Sequence, residues 1–308
     1  MRQKVLILEN IHEDGVNMLK KNFEVIKKFE TDRKKQLILI KNFDVIIIKS
    51  TVRVDKNFID NAAKLKIIAR AGTGLDNIDI KYCRKRKIKV INTPSLNSDA
   101  VADFTVMQIL CLVRNAYKAQ IMIKNRDFRR DLLLGRDMRK LKIGIIGFGN
   151  VGKKVAKRLI PFGSKMYILE KNKKVNKTYY KVKTLNELIR KVDVLSFHVP
   201  LNSSTVKMIN KNNLKKIKKK MLFINTARAQ IIDSKSLLKF KKKIIYATDV
   251  LDKEPPLDTK PKTRKYNNKL LNKDNIIVTP HMAASTLDTQ KSISNLLSKK
   301  IIKYFLNY

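Results

Sequence analysis

Short apolar, β-branched runs recur along this chain, each closing on Gly, Ser, Thr, Pro or a polar turn, with amphipathic stretches between them. KVLIL, VIIIK, KIIARAG and KVINTP come first, then KIGIIGFG, KMYILE, DVLSFHVP, MLFINTAR, IIYATDV and NIIVTPH. HEDGVNMLKKN and VDKNFIDNAAKL, lying between such runs, place apolar residues at helical spacing. Few folds accept this alternation. A strand, a helical crossover and a second strand pair in parallel, and a parallel sheet buries both faces, so its strands are apolar throughout. A chain of 308 residues has room for about two such domains, and 44% hydrophobic residues can fill their cores. The expected class is therefore α/β, with two doubly wound parallel-sheet domains. SDAVADFTVMQILCLVRNAYKAQIMI (98–123) predicts the longest helix, capped by Ser98 or Asp99 and leading into the second domain.

The net charge of +43, from 69 basic and 26 acidic residues, raises nucleic acid and anionic membranes as partners. The basic residues are mostly lysine and run the whole length. Their densest clusters, KKIKKK (215–220) and KFKKK (239–243), lack interleaved aromatics, and no zinc-finger or RNA-recognition signature accompanies them. A solvated lysine-rich surface and no specific nucleic acid are expected. No apolar run approaches the roughly 20 residues needed to span a bilayer. MRQKVLILEN reads as a strand and a loop, without a signal-peptide cleavage site. Cys83 and Cys111 have neither metal-ligand spacing nor a disulfide framework around them. These features predict a soluble cytoplasmic protein without a metal.

Gly147, Gly149 and Gly152 in KIGIIGFGNVGKKVA form G-x-G-x-x-G directly after a strand and at the start of a helix. That setting suits a tight turn, close approach to a pyrophosphate and close helix–strand packing, with free helix N–H groups facing the phosphates. Glu170 ends the next strand, where a carboxylate binds the adenosine ribose hydroxyls and opposes a 2′-phosphate. NAD is the expected cofactor, although Lys171, Lys173 and Lys174 follow Glu170 with charge that suits a 2′-phosphate.

In an open parallel sheet, ligands bind beyond the carboxyl ends of the strands. The runs of the second half place Arg228, Asp249, Glu254 and His281 there, and His281 is one of only three histidines. Each alone reads as a surface cation, a cap, a solvated acid or a loop histidine. Together they supply a cation for a carboxylate, a base that titrates near neutrality and an acid to orient it. Oxidation of a 2-hydroxy acid beside a nicotinamide requires that set.

Over nearly its full length the chain resembles the D-isomer-specific 2-hydroxyacid dehydrogenases. RAGTGLDNID (70–79), GIIGFGNVG (144–152), FHVPLNSST (197–205), NTARAQIID (225–233), DVLDKEP (249–255) and NIIVTPH (275–281) carry the likeness, in order and spacing. The resemblance implies that Arg228, Glu254 and His281 are catalytic and that Asp249 contacts the nicotinamide carboxamide. It adds Asn150, Val151, His198, Pro200, Thr205, Thr226 and Ala227 to the cofactor site. Both domains would be Rossmann-like: a substrate domain of residues 1–96 completed by 283–308, and an NAD-binding domain of residues 97–282. A homodimer would pack around the cofactor domain.

Within that family the likeness leans to the phosphoglycerate dehydrogenases, whose reaction opens serine synthesis. On that likeness Lys49, Ser50 and Arg53, with Arg70, Gly72, Thr73 and Gly74, face a phosphorylated acid. Asn97 stands on the substrate side, and Arg130 reaches the partner subunit's substrate. Departures exist. Lys49 stands where arginine is usual and offers a point charge in place of a fork. Leu96 and Ala229 replace common glycines, and the stretch 257–274 is long. Little chain follows His281, which implies a short form without a regulatory domain, and TLDTQKSISNLLSKKIIKYF reads as one tail helix on the substrate domain. Glyoxylate or hydroxypyruvate reduction, and an NAD(H)-sensing binding role of corepressor type, are the alternatives.

Overall fold

The structure, a computed structural model, describes residues 2–29, 32–171, 174–255, 266–271 and 273–306. Lys173 and most of the long 257–274 stretch lie outside the described residues. The chain divides into two compact units, Met1–Asn97 with Glu254–Tyr266 and Ala284–Tyr308, and Ser98–Lys253 with Asn267–Ala283. Glu254, grouped by the sequence reading with the cofactor domain, clusters with the first unit.

The first unit runs β1 (Lys4–Ile7), α1 (Glu13–Lys20), β2 (Glu24–Lys27), α2 (Arg33–Leu39), β3 (Val45–Ile48), α3 (Lys56–Asn61), β4 (Ile67–Arg70), α4 (Ile80–Lys85) and β5 (Lys89–Asn92). All its strand pairs are parallel, in the order β2-β1-β3-β4-β5. Alternate residues serve opposite faces, as the pleat requires. Leu6, Ile46, Ile48 and Ile68 join one core with Phe58, Ile59 and Cys83, while Val5, Ile7, Ile47 and Ile67 join the other. Side-chain caps from Asp32, Asp55 and Asp79 start α2, α3 and α4.

The second unit runs α5 (Ser98–Val113), α6 (Ala116–Lys124), β6 (Lys142–Ile146), α7 (Asn150–Leu159), β7 (Lys165–Leu169), β8 (Tyr180–Val182), α8 (Leu185–Lys191), β9 (Val194–Phe197), α9 (Lys211–Leu214), β10 (Met221–Asn225), α10 (Ser234–Lys239), β11 (Ile244–Thr248) and β12 (Ile276–Val278). Its seven strands are again all parallel, ordered β12-β11-β10-β9-β6-β7-β8. The order turns about β6, whose neighbours are β9 and β7. That is the doubly wound dinucleotide-binding arrangement, with its ligand crevice beyond the carboxyl end of β6. Ala102, Ile109, Val155 and Leu159 of α5 and α7 cover one face of the sheet, and Leu188, Leu214 and Leu237 of α8 to α10 cover the other.

The last helix, α11 (Leu287–Leu306), returns to the first unit and buries Ile293, Leu297 and Ile301 against the β1 and β4 face. It approaches α1 closely. Ser294 and Ser298 donate hydroxyl hydrogen bonds to the carbonyls of His12 and Gly15, and a Cβ at Gly15 would lie 2.1 Å from Ser294 Oγ.

Two expectations need correction. The predicted single helix over 98–123 is two, because Asn115 takes a left-handed conformation (φ 54°) between α5 and α6. Its side-chain amide donates to the carbonyls of Leu133 and Leu134, which stabilises the break, and α11 is the longest described helix. Asp99 does not act as a lone cap: its carboxylate pairs with Lys154 and Arg158 of α7, while Ser98 is buried as the first residue of α5. The KKIKKK run divides as a solvated turn does. Ile217 enters the core, Lys219 pairs with the buried Asp193 at 2.6 Å, and the other lysines are exposed. No described helix is long and apolar enough to cross a membrane.

Candidate active site

The cofactor end of the second unit is shaped by absent side chains. Gly147 has φ +89°, and a Cβ there would lie 2.6 Å from the carbonyl oxygen of His198 on the neighbouring strand end. A Cβ at Gly152 would lie 2.1 Å from Gly147 O. Only glycine allows the turn and α7 to come this close. Gly149 is the N-cap of α7, a ten-residue helix that opens with Asn150 and Val151, and it supplies no side-chain cap; the N-terminus of such a helix suits an anionic ligand. Glu170 lies at the end of β7, and its Oε2 accepts a hydrogen bond from Phe148 N–H at 2.8 Å. The carboxylate is thus fixed to the glycine turn. A bare glycine loop, a helix N-terminus and an acid at the next strand end together fit a dinucleotide.

His198 follows β9. Its Nε2 is 2.9 Å from Ser196 Oγ, and burial holds the imidazole down to about 3, so the ring is neutral near pH 7. The turn after it is closed by Thr205, whose hydroxyl donates to Pro200 O at 2.6 Å. Thr226 Oγ1 is 3.0 Å from Thr105 Oγ1 of α5, so a buried helix residue orients it.

β10 delivers Arg228 through a turn built by Asn225. This fully buried amide donates to Arg228 O (2.9 Å) and Tyr246 Oη (3.1 Å), and its Oδ1 accepts from Ala227 N–H (3.0 Å). Burial pushes the Tyr246 hydroxyl up to about 12, which keeps it a neutral hydrogen-bonding group. The Arg228 guanidinium donates to Ala227 O at 2.7 Å.

His281 follows β12 with φ 55°, a left-handed conformation uncommon outside glycine and costing of order 1 kcal/mol. Asp249 holds that turn. It is buried, its Oδ1 accepts from Thr279 Oγ1 (2.6 Å) and Met282 N–H (2.9 Å), and its Oδ2 accepts from Ala283 N–H (2.8 Å). Glu254 is half-buried at the near end of a stretch outside the described residues.

In the first unit, Ile48 of β3 is in register with Arg70 of β4, which sets Lys49 and Ser50 beside the Arg70 loop. Gly72 has φ +136°, and a Cβ on it would lie 1.7 Å from an Arg70 terminal nitrogen, so the guanidinium lies across the glycine. Gly72 N–H donates to Thr93 Oγ1 (3.0 Å) and Thr73 Oγ1 donates to Asn97 Oδ1 (2.8 Å), which brings Arg70, Gly72, Thr73 and Asn97 together with Gly74 next in the loop. Two predicted residues are exposed, the second of them in the other unit. Arg53 is 81% exposed and 3.8 Å from Asp55, and Arg130 is exposed in the turn Arg130–Leu133. Glu9, Asn77, Thr93, Asn225 and Tyr246 were not anticipated. Their partners lie 2 to 43 positions away, and no local pattern marks them.

Known proteins give this geometry a context. Residues 106–283 match the family described as D-isomer specific 2-hydroxyacid dehydrogenase, NAD binding domain. The hydroxypyruvate reductase of Thermotoga maritima is 33% identical over 306 residues, 98% of each chain. The D-3-phosphoglycerate dehydrogenase of Methanocaldococcus jannaschii is 33% identical over 309 residues, which cover 97% of this chain but 57% of that protein. Among solved structures, the D-lactate dehydrogenase of Aquifex aeolicus complexed with NAD and lactic acid is similar at a TM-score of 0.87 and 27% identity, covering 99% of this chain and 96% of that one.

Proposed function

Since this chain belongs to the D-isomer specific 2-hydroxyacid dehydrogenase family, an NAD-dependent group of oxidoreductases, we propose that it interconverts D-3-phosphoglycerate and 3-phosphohydroxypyruvate. The observation carrying the substrate choice is the pairing of β3 with β4, which sets the cation of Lys49 on the strand end adjacent to Arg70. A second anionic group on the acid suits the positive charge of this strand end, and charge-assisted hydrogen bonds are roughly twice as strong as neutral ones.

Bound NAD supplies the hydride acceptor for C2 of the acid. The remaining work falls to the chain. Arg228 holds the substrate carboxylate and polarises the C2 oxygen. His281 takes the hydroxyl proton during oxidation and returns it during reduction, and Glu254 completes the catalytic set. Gly147, Gly149 and the start of α7 hold the pyrophosphate, and Glu170 the adenosine ribose. Asp249 has three internal hydrogen bonds, which leaves one acceptor direction for the nicotinamide carboxamide.

A second reading, reduction of hydroxypyruvate or glyoxylate, is favoured by the end-to-end match to the Thermotoga maritima enzyme. NADH oxidation with 3-phosphohydroxypyruvate, hydroxypyruvate, glyoxylate and pyruvate separates the two, together with Arg70→Ala. The phosphorylated acid should have the highest kcat/KM, and Arg70→Ala should raise its KM far more than that of glyoxylate. Equal losses on both would transfer the assignment to the second reading.

The active form is a cytoplasmic homodimer joined through the cofactor unit. Supporting this, Ile121 (63% exposed), Phe128 (73%) and Leu134 (82%) are exposed apolar side chains on and after α6, which a second copy would cover. Arg130 lies between the last two. Phe128→Glu should yield a monomer by sedimentation, and an unchanged mass would remove this interface.

A further inference from the structure

Three acidic side chains are buried among the described residues: Glu9, Asp193 and Asp249. Asp193 meets two cations, Lys219 and Arg136. Asp249 and Glu9 instead accept from backbone N–H groups of loops at the carboxyl ends of strands. Glu9, just beyond β1, accepts at Oε2 from Lys49 N–H (2.6 Å) and Val52 N–H (3.3 Å), and at Oε1 from Thr51 N–H (3.2 Å) and the Thr51 hydroxyl (2.7 Å). From the other side, the Asn77 amide donates to the carbonyls of Lys49 (3.1 Å) and Val52 (2.7 Å). Within residues 49–52, three backbone N–H groups and one hydroxyl are thus tied to Glu9, and two carbonyls to the segment after β4.

Asp249 makes the same kind of clamp in the other unit, with one threonine hydroxyl and two backbone N–H groups around the His281 turn. Burying a carboxylate is unfavourable unless such bonds replace its water, and here all of them come from a single loop. Loops ordinarily move more than the strands that bear them. This one has a buried charge as its anchor.

We propose that Glu9 is a positioning residue for substrate binding, holding residues 49–52 so that Lys49 and Ser50 meet the acid. The inference rests on the reading that this loop faces the substrate. Both Glu9 oxygens receive hydrogen from donors, so the near-isosteric Glu9→Gln would turn an amide N–H₂ toward at least one of them and release part of the loop. Asn77 is then a second brace, and the RAGTGLDNID motif contributes through it to the shape of the preceding loop.

The test uses the full chain, NADH, and two acids, 3-phosphohydroxypyruvate and glyoxylate, with the wild type, Glu9→Gln and Thr51→Val. Thr51→Val keeps the side-chain shape and removes one donor, so it reports on the clamp even if Glu9→Gln folds poorly. Glu9→Gln should raise KM for the acid by about 10- to 100-fold, and Thr51→Val by less. In both, kcat and KM for NADH should stay within about twofold. A simple loss of folded protein would lower apparent kcat and leave KM for the acid unchanged. A larger rise for the phosphorylated acid supports the clamp and the phosphate reading together. An equal rise on both acids supports the clamp and removes the phosphate reading. An unchanged KM for both acids in both variants, or equal disturbance of KM for NADH, overturns the role of Glu9.

Discussion

Asp249 Oδ2 accepts the backbone N–H of Ala283 at 2.8 Å, across 34 positions of sequence and two residues beyond His281. With Met282 N–H and Thr279 Oγ1 on the other oxygen, the buried carboxylate fastens β11 to a turn whose histidine has φ 55°. Asp249→Asn should leave a donor facing a donor. The expected cost is about 1–3 kcal/mol of stability. A slightly displaced His281 should also lower kcat by about 10- to 100-fold. Thermal unfolding and steady-state kinetics check this, and wild-type kcat in the variant would show that the clamp does not set the histidine.

Glu170, which accepts the Phe148 N–H, is the proposed determinant of cofactor choice. Glu170→Ala should shrink the ratio of kcat/KM for NADH over NADPH by removing the opposing charge, with Lys171 and Lys174 remaining nearby in sequence. Activity with NADH should persist. A variant that keeps the wild-type ratio would place the discrimination elsewhere.

The proposed proton relay predicts unequal losses. His281→Asn should cut kcat by about 10²- to 10⁴-fold, the usual range for a lost general acid–base, with NADH affinity little changed. Glu254→Gln should cost less, since the imidazole remains. Near-normal turnover in His281→Asn would reduce that histidine to a turn residue.

His198 predicts a pH effect on stability rather than on chemistry. Burial lowers its folded pKa to about 3, whereas the unfolded ring titrates near its usual value of about 6.5. Between those values the unfolded chain binds the extra proton, so this contribution is full above about pH 6.5 and declines as pH falls toward 3. Melting temperature should therefore drop from pH 7 to 4.5 more steeply in the wild type than in His198→Gln. Parallel curves would mean that His198 is protonated in the folded chain.

Much of this site was legible because its signals are local. Gly147, Gly149 and Gly152 identify a strand-to-helix turn within six residues, and Glu170 is the last residue of the next apolar run. Arg228 and His281 were singled out as candidates the same way, as polar residues where β-branched runs stop. Other features left no such trace. β2 (EVIK) and β8 (YKV) were missed because they are edge strands, half-exposed and partly charged, without the continuous apolar run that two buried faces impose. The break at Asn115 was hidden because apolar spacing continues through it, and the carbonyls that stabilise it lie 18 and 19 positions away.

From apolar period, turn residues and strand-end chemistry alone came the class of fold, the place of the dinucleotide and the residues expected to move hydride and proton. Each of these depends on interactions within a few neighbours, which a linear chain displays directly. Strand order, and with it the braces on the loops, came from folding. Glu9 reaches Lys49 and Asp249 reaches Ala283 because parallel strands far apart in sequence end side by side. Which strands become neighbours depends on burying both faces of a whole sheet at once, a global condition that no short stretch of residues records.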